Sequence, residues 1–87
     1  MVHLFKIEKV YEKRFFQNAR GEQSTAVELE MSQGGNLVIC TAYDKVADVI
    51  AVKNIVPGTL VWADLRFCVT GSERRFQNII LNSIDLF

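Results

Sequence analysis

Two stretches of the chain interleave cations with aromatic rings. One holds Tyr11, Lys13, Arg14, Phe15 and Phe16 and leads into Arg20. The other holds Trp62 and Arg66, followed by Arg74, Arg75 and Phe76. Ring faces stack on planar groups, and guanidinium or ammonium groups neutralise phosphate oxygens. This is the chemistry of holding a chain of bases and phosphates without making or breaking bonds.

Residues for bond chemistry do not assemble in the same way. The only histidine is His3, near the start of the chain. No spacing brings a nucleophile, a base and an orienting group together. The acidic residues are scattered along strand faces, as expected of a solvated surface. Gly34-Gly35 lacks the strand–helix context and the Lys of a phosphate loop. Cys40 and Cys68 stand far apart in apolar patterns, without metal-ligand spacing, and read as buried thiols. The expectation is a binding protein with no catalytic residue, no metal and no cofactor.

At 87 residues the chain is expected to form a single domain, 1–87, with a modest core. A hydrophobic share of 49% is too high for disorder. The 10 basic and 10 acidic residues cancel, which argues against binding by bulk charge. Their distribution is uneven. Residues 1–20 carry five basic against two acidic residues, +3; residues 21–64 carry two against six, −4; residues 65–87 carry three against two, +1. The basic excess therefore coincides with the two clusters. No apolar run has the length of a membrane span. Lys6, Glu8 and Lys9 interrupt the N-terminal pattern a secretory signal would need. A cytoplasmic, reducing location is expected.

The positioning elements read mostly as strands. A first strand over 2–16 changes parity between Phe5, Ile7 and Val10, which predicts a bulge near Lys9 and Val10. Asn18 and Gly21 mark a turn. Over 23–31, Thr25, Val27, Leu29 and Met31 alternate toward a core, leaving Glu28, Glu30 and Ala26 toward solvent. Gly34-Gly35-Asn36 predicts a hairpin turn into a third strand over 37–43, apolar on both sides and so central. Val46, Val49, Ile50 and Lys53 then follow helical spacing, with Asp44 as candidate N-cap. Tyr43 is expected beneath this helix. The helix is rich in β-branched residues, so it depends on packing, as a plug over a barrel end would. Asp44 and Asp48 would repel phosphate, which makes the helix a structural element and not a ligand contact.

Pro57-Gly58 ends the connection. A fourth strand over 60–70 places Val61, Leu65 and Phe67 on the core side and Trp62 on the opposite face with Asp64 and Arg66. Gly71-Ser72-Glu73 turns it into a fifth strand over about 74–87. Three strands, one short helix and two strands is the order of the all-β, five-stranded Greek-key OB-fold barrel, with its helix between strands three and four. In that barrel the first cluster ends strand one and enters the next loop. The second spans strand four and the loop before strand five. Those loops flank the usual binding cleft. One of the adjacent pair Phe15 and Phe16 must point away from the core side, and the sequence does not say which. Trp62 reads equally as a stacking platform or part of a subunit interface.

The string Phe16-Gln17-Asn18-Ala19-Arg20-Gly21-Glu22, followed by Val27-Glu28-Leu29-Glu30, resembles the first hairpin of bacterial single-stranded DNA-binding proteins. Ile55-Val56-Pro57-Gly58-Thr59-Leu60-Val61 is similar to their passage from helix to fourth strand, and Arg75-Phe76-Gln77-Asn78-Ile79 to the start of their fifth. Ile84-Asp85-Leu86-Phe87 faintly resembles their acidic-hydrophobic tip, without a linker to present it. A barrel without a tail looks more like primosomal PriB-type proteins, or the small single-strand binders of phages and mobile elements. The resemblance implies a homo-oligomer, a dimer or a tetramer, with the dimer expected as working unit.

The reading that follows is binding of single-stranded DNA in replication or repair, without sequence preference. Stacking would come from among Tyr11, Phe15, Phe16, Trp62 and Phe76, and phosphate contacts from Lys13, Arg14, Arg20, Arg66, Arg74 and Arg75. The alternative is an OB-type protein-interaction module with these aromatics at a subunit or partner interface. A barrel for an oligosaccharide or small ligand is third.

Overall fold

The computed structural model describes residues 2–69 and 77–87. Its elements are β1 (Val2–Val10), β2 (Arg14–Gln17), β3 (Gln23–Gln33), β4 (Asn36–Tyr43), α1 (Asp44–Val52), β5 (Leu60–Val69) and β6 (Gln77–Leu86). The strands form one sheet in the order β1-β5-β6-β4-β3-β2, and β1 also pairs with β3. That extra pairing closes β1, β5, β6, β4 and β3 into a ring. The expected five-stranded barrel is therefore present, with its one helix between β4 and β5. All ladders are antiparallel except β4–β6, which runs parallel and meets at Thr41 and Ile80.

The core lies inside the ring. Ile7, Leu29, Met31, Cys40, Val61 and Leu81 are its largest fully buried side chains. Ala47 and Ile50 of α1 close one end, backed by Val46 and Val49. Burial pushes the Cys40 thiol up to about 12. The side chain of Cys68 lies outside the described residues.

Several expectations need correction. The first strand is not continuous: it breaks over 11–13, and 14–17 pair with β3 alone. The shift in β1 falls between Ile7 and Lys9, which makes Glu8 the extra residue. With Glu8 looped out, Ile7 and Val10 both turn inward despite their opposite parity. Asp44 is not the N-cap. Tyr43 holds that position with no side-chain cap, and Asp44 is the first helical residue, at φ 45°. Asp tolerates this left-handed backbone, and its Oδ1 accepts a hydrogen bond from the Thr25 N–H at 3.1 Å. Tyr43 itself lies exposed on the outer face, not beneath the helix.

Phe67 shares parity with Val61 and Ala63, as read, yet is 68% exposed. β1 pairs with β5 only over Leu60 to Asp64: Leu65 still packs against the core, but Phe67, further along, has no β1 residue paired beside it. A register shift between Asp64 and Leu65 in the β5–β6 ladder falls at the same point. Ala26 does lie on the outer face, yet is only 2% exposed, because the larger side chains of Arg14, Phe16 and Tyr43 stand around its methyl group.

Candidate nucleic-acid interface

Strand register decides which side chains share the outer surface. Arg14 pairs with Ala26, and Ala26 pairs with Tyr43, so these three form a row across β2, β3 and β4. Phe16 lies opposite Ser24, one step along the same face. The neighbouring row runs Glu28, Thr41, Ile80 and Arg66 across β3, β4, β6 and β5. The next is Lys9, Glu30 and Ile39.

The Gly34-Gly35 turn sets this register. Both glycines have positive φ, 55° and 84°, the backbone of a two-residue hairpin turn that side chains resist. Once Gln33 faces Asn36, the ladder carries Tyr43 opposite Ala26. Alanine projects only a methyl group. Its short side chain leaves a notch of about 320 Å³ lined by Arg14, Phe15, Phe16, Ala26 and Tyr43.

The rings of Phe16 and Tyr43 meet edge to face, centroids 6.1 Å apart and planes at 78°. Each is 38% exposed. This is a favourable aromatic geometry that leaves ring surface open to a ligand. Phe15 and Phe16 are both exposed because β2 lies outside the ring and has no core behind it.

Acidic groups on this face are occupied by neighbours. Glu28 Oε1 accepts a hydrogen bond from Arg14 Nη2 at 3.0 Å. Glu30 Oε1 accepts one from the Tyr11 hydroxyl at 3.1 Å, and Lys9 Nζ lies 4.8 Å from the Tyr11 ring centroid. Lys13 pairs with Asp48 of α1 at 3.5 Å. Among the described residues, Arg20 and Arg66 form no ion pair.

The loop between β2 and β3 is built around Asn18. Its Oδ1 accepts hydrogen bonds from the Arg20 and Glu22 N–H groups at 2.9 and 3.1 Å, and its Nδ2 donates to Ser24 Oγ at 3.3 Å. This local side-chain turn fixes the backbone at Arg20, in the loop that leaves the Phe16 strand.

The structure thus brings together Arg14, Phe15 and Phe16, with Tyr11 and Arg66 in neighbouring rows. It does not bring Trp62 to them. Trp62 lies opposite Leu4 of β1 and Asp85 of β6, and its ring packs on Phe87 at 5.7 Å. Arg74, Arg75 and Phe76 lie outside the described residues. Tyr43, Ala26 and Lys9 were missed as site residues by sequence reasoning. The hairpin register, counted outward from Gly34-Gly35, was the signal that pairs Ala26 with Tyr43. Among the described residues, no cluster of three or more His, Cys, Asp or Glu side chains is placed to hold a metal ion. Among them too, no helix is long and apolar enough to cross a membrane.

No protein-family model matches the chain, and no curated protein matches it. Among solved structures it is similar to the second OB-fold domain of replication protein A from Methanococcus maripaludis. The TM-score is 0.75 at 13% sequence identity, covering 98% of this chain and 80% of that one. The fold is an OB-fold. Strands β3 and β4 correspond to the second and third strands of that barrel, because its bent first strand is divided here into β1 and β2.

Proposed function

We propose that the protein binds single-stranded DNA through the outer face of β2, β3 and β4, in replication or repair. One observation carries the reading: two exposed rings, Phe16 and Tyr43, flank an alanine-floored notch beside Arg14. This is the face on which OB-folds bind oligonucleotides. The similar archaeal domain belongs to a replication protein, which supports the same reading.

Bases stack on Phe16 and Tyr43, with Phe15 at the entrance. Phosphates meet Arg14, Arg20 and Arg66. Lys13 contributes after release from Asp48, and Arg74, Arg75 and Phe76 are carried in the proposal from sequence alone. Binding is the whole of the activity, with no enzyme chemistry assigned. The likeness of Phe16–Glu22 to the first hairpin of bacterial single-stranded DNA-binding proteins extends the proposal to a homo-oligomer, with a dimer as working unit; a cytoplasmic location is proposed with it.

A second reading has its own observation. Trp62 and Phe87 stack in the open, with Leu60 exposed on the Trp62 strand and Val2 exposed on the paired strand β1. Such an apolar surface suits a subunit or partner interface, the interaction-module alternative.

Fluorescence anisotropy of a labelled oligo-dT of about 16 nucleotides, the upper site size for one OB-fold, tests the proposal. Binding is expected at low salt. With Arg14, Arg20 and Arg66 on phosphates, log Kd changes with log salt at a slope of about 2 in magnitude, rising to about 4 when Lys13, Arg74 and Arg75 also engage. Absence of binding at low salt overturns the reading.

A further inference from the structure

We propose that Glu28 is a specificity-determining residue: its carboxylate disfavours thymine in the cleft relative to the amino-bearing bases. The inference rests on the proposed binding face and concerns which base that face accepts.

Glu28 lies in the row next to Tyr43, diagonal to it across the β3–β4 ladder. Diagonal neighbours on one sheet face lie within reach of long and aromatic side chains. The carboxylate is held there by Arg14, whose own side chain lines the notch with Tyr43. Glu28 is nonetheless 39% exposed at its side chain, and a carboxylate accepts more hydrogen bonds than the one Arg14 donates. A base stacked on the Tyr43 ring therefore has its edge near an anchored acceptor.

The bases differ at that edge. Cytosine and adenine each offer an amino group, and guanine offers N1–H and its amino group side by side. Thymine offers a lone N3–H between two carbonyl oxygens, whose lone pairs oppose a carboxylate. Carboxylates accept from the cytosine amino group in the same way in duplex readout. Cytosine and thymine have similar single rings, so stacking on Phe16 and Tyr43 does not separate them and the difference falls on the edge.

The experiment is anisotropy with labelled oligo-dC and oligo-dT of equal length at pH 7.5, on wild type, Glu28→Gln, Glu30→Gln and Arg66→Ala. Wild type is expected to favour oligo-dC by about five-fold, the ratio one net hydrogen bond supplies. Glu28→Gln, whose amide serves both base edges, is expected to bring the two oligonucleotides to parity. It should also strengthen binding to oligo-dT, since a negative charge leaves the phosphate path. Glu30→Gln should keep the preference, because the Tyr11 hydroxyl engages that carboxylate in the next row. Arg66→Ala should weaken both equally. Equal wild-type binding to the two oligonucleotides, or a preference that survives Glu28→Gln or is lost in Glu30→Gln, overturns the assignment and leaves the binding face standing. Binding of neither oligonucleotide overturns the face and this assignment together.

Discussion

The ring of Tyr43, the last residue of β4, meets the ring of Phe16 in β2 edge to face, 6.1 Å between centroids. The two strands are not neighbours in the sheet, because β3 runs between them. The contact exists only because Ala26 between them is small.

Removing either ring therefore removes a stacking platform and little of the fold. Phe16→Ala and Tyr43→Ala are each expected to weaken oligo-dT binding by about 1–3 kcal/mol, the range for one base–aromatic stack. Circular dichroism and the thermal midpoint should stay near wild type, since both rings lie outside the core. Anisotropy titration gives the affinity.

Filling the notch should have the same effect without deleting any proposed contact. Ala26→Leu places a branched side chain between Phe16 and Tyr43. Oligonucleotide binding is expected to fall by about ten-fold or more, a loss on the scale of one stacked base. Because Ala26 is buried, overpacking costs about 1–3 kcal/mol of stability, readable by urea denaturation.

Asn18 holds the loop that carries Arg20. Asn18→Ala removes the acceptor for the Arg20 and Glu22 N–H groups. Both groups are exposed and turn to water, so the expected stability loss is about 1 kcal/mol. Hydrogen exchange at these two amides should accelerate while the β3 amides stay protected. Affinity for DNA should fall modestly as Arg20 loses its fixed position.

Cys40 is set against reaction by its surroundings. Burial raises its thiol from 9.0 to about 12, so the folded chain holds that proton more tightly than the unfolded chain. The sign follows: this contribution is intact below about pH 9 and is lost as pH rises toward 12. Between those values wild type should lose stability faster than Cys40→Ala. At pH 8, iodoacetamide should leave Cys40 unmodified in the native protein and modify it in urea, as located by peptide mass spectrometry.

Much of the barrel was legible in the sequence because its signals are local. Val27, Leu29 and Met31 alternate and are all buried in β3. The parity change between Ile7 and Val10 marked the bulge, to within two residues of Glu8. Helical spacing of Val49 and Ile50 marked α1, although the helix begins earlier, at Asp44. The failures arose where a side chain's surroundings depend on a distant strand. Phe67 has inward parity but stands beyond the last β1 partner of β5. Phe15 and Phe16 could not be separated because β2 has no core on either side. Ala26 and Tyr43 became a site only through the register of β2, β3 and β4 together. The two basic-aromatic clusters, read as flanking one cleft, are divided in the structure at Trp62, which turns to the β1–β5–β6 side and stacks on Phe87.

The most direct test of the binding face is a heteronuclear NMR titration of the isotopically labelled protein with oligo-dT at low salt. The expected result is that amide shifts concentrate at Arg14, Phe16, Arg20, Ala26, Thr41 and Tyr43, while Leu4, Leu60 and Phe87 stay unchanged. Shifts confined to the Trp62–Phe87 side, or no shifts at a saturating concentration of oligonucleotide, would contradict the account.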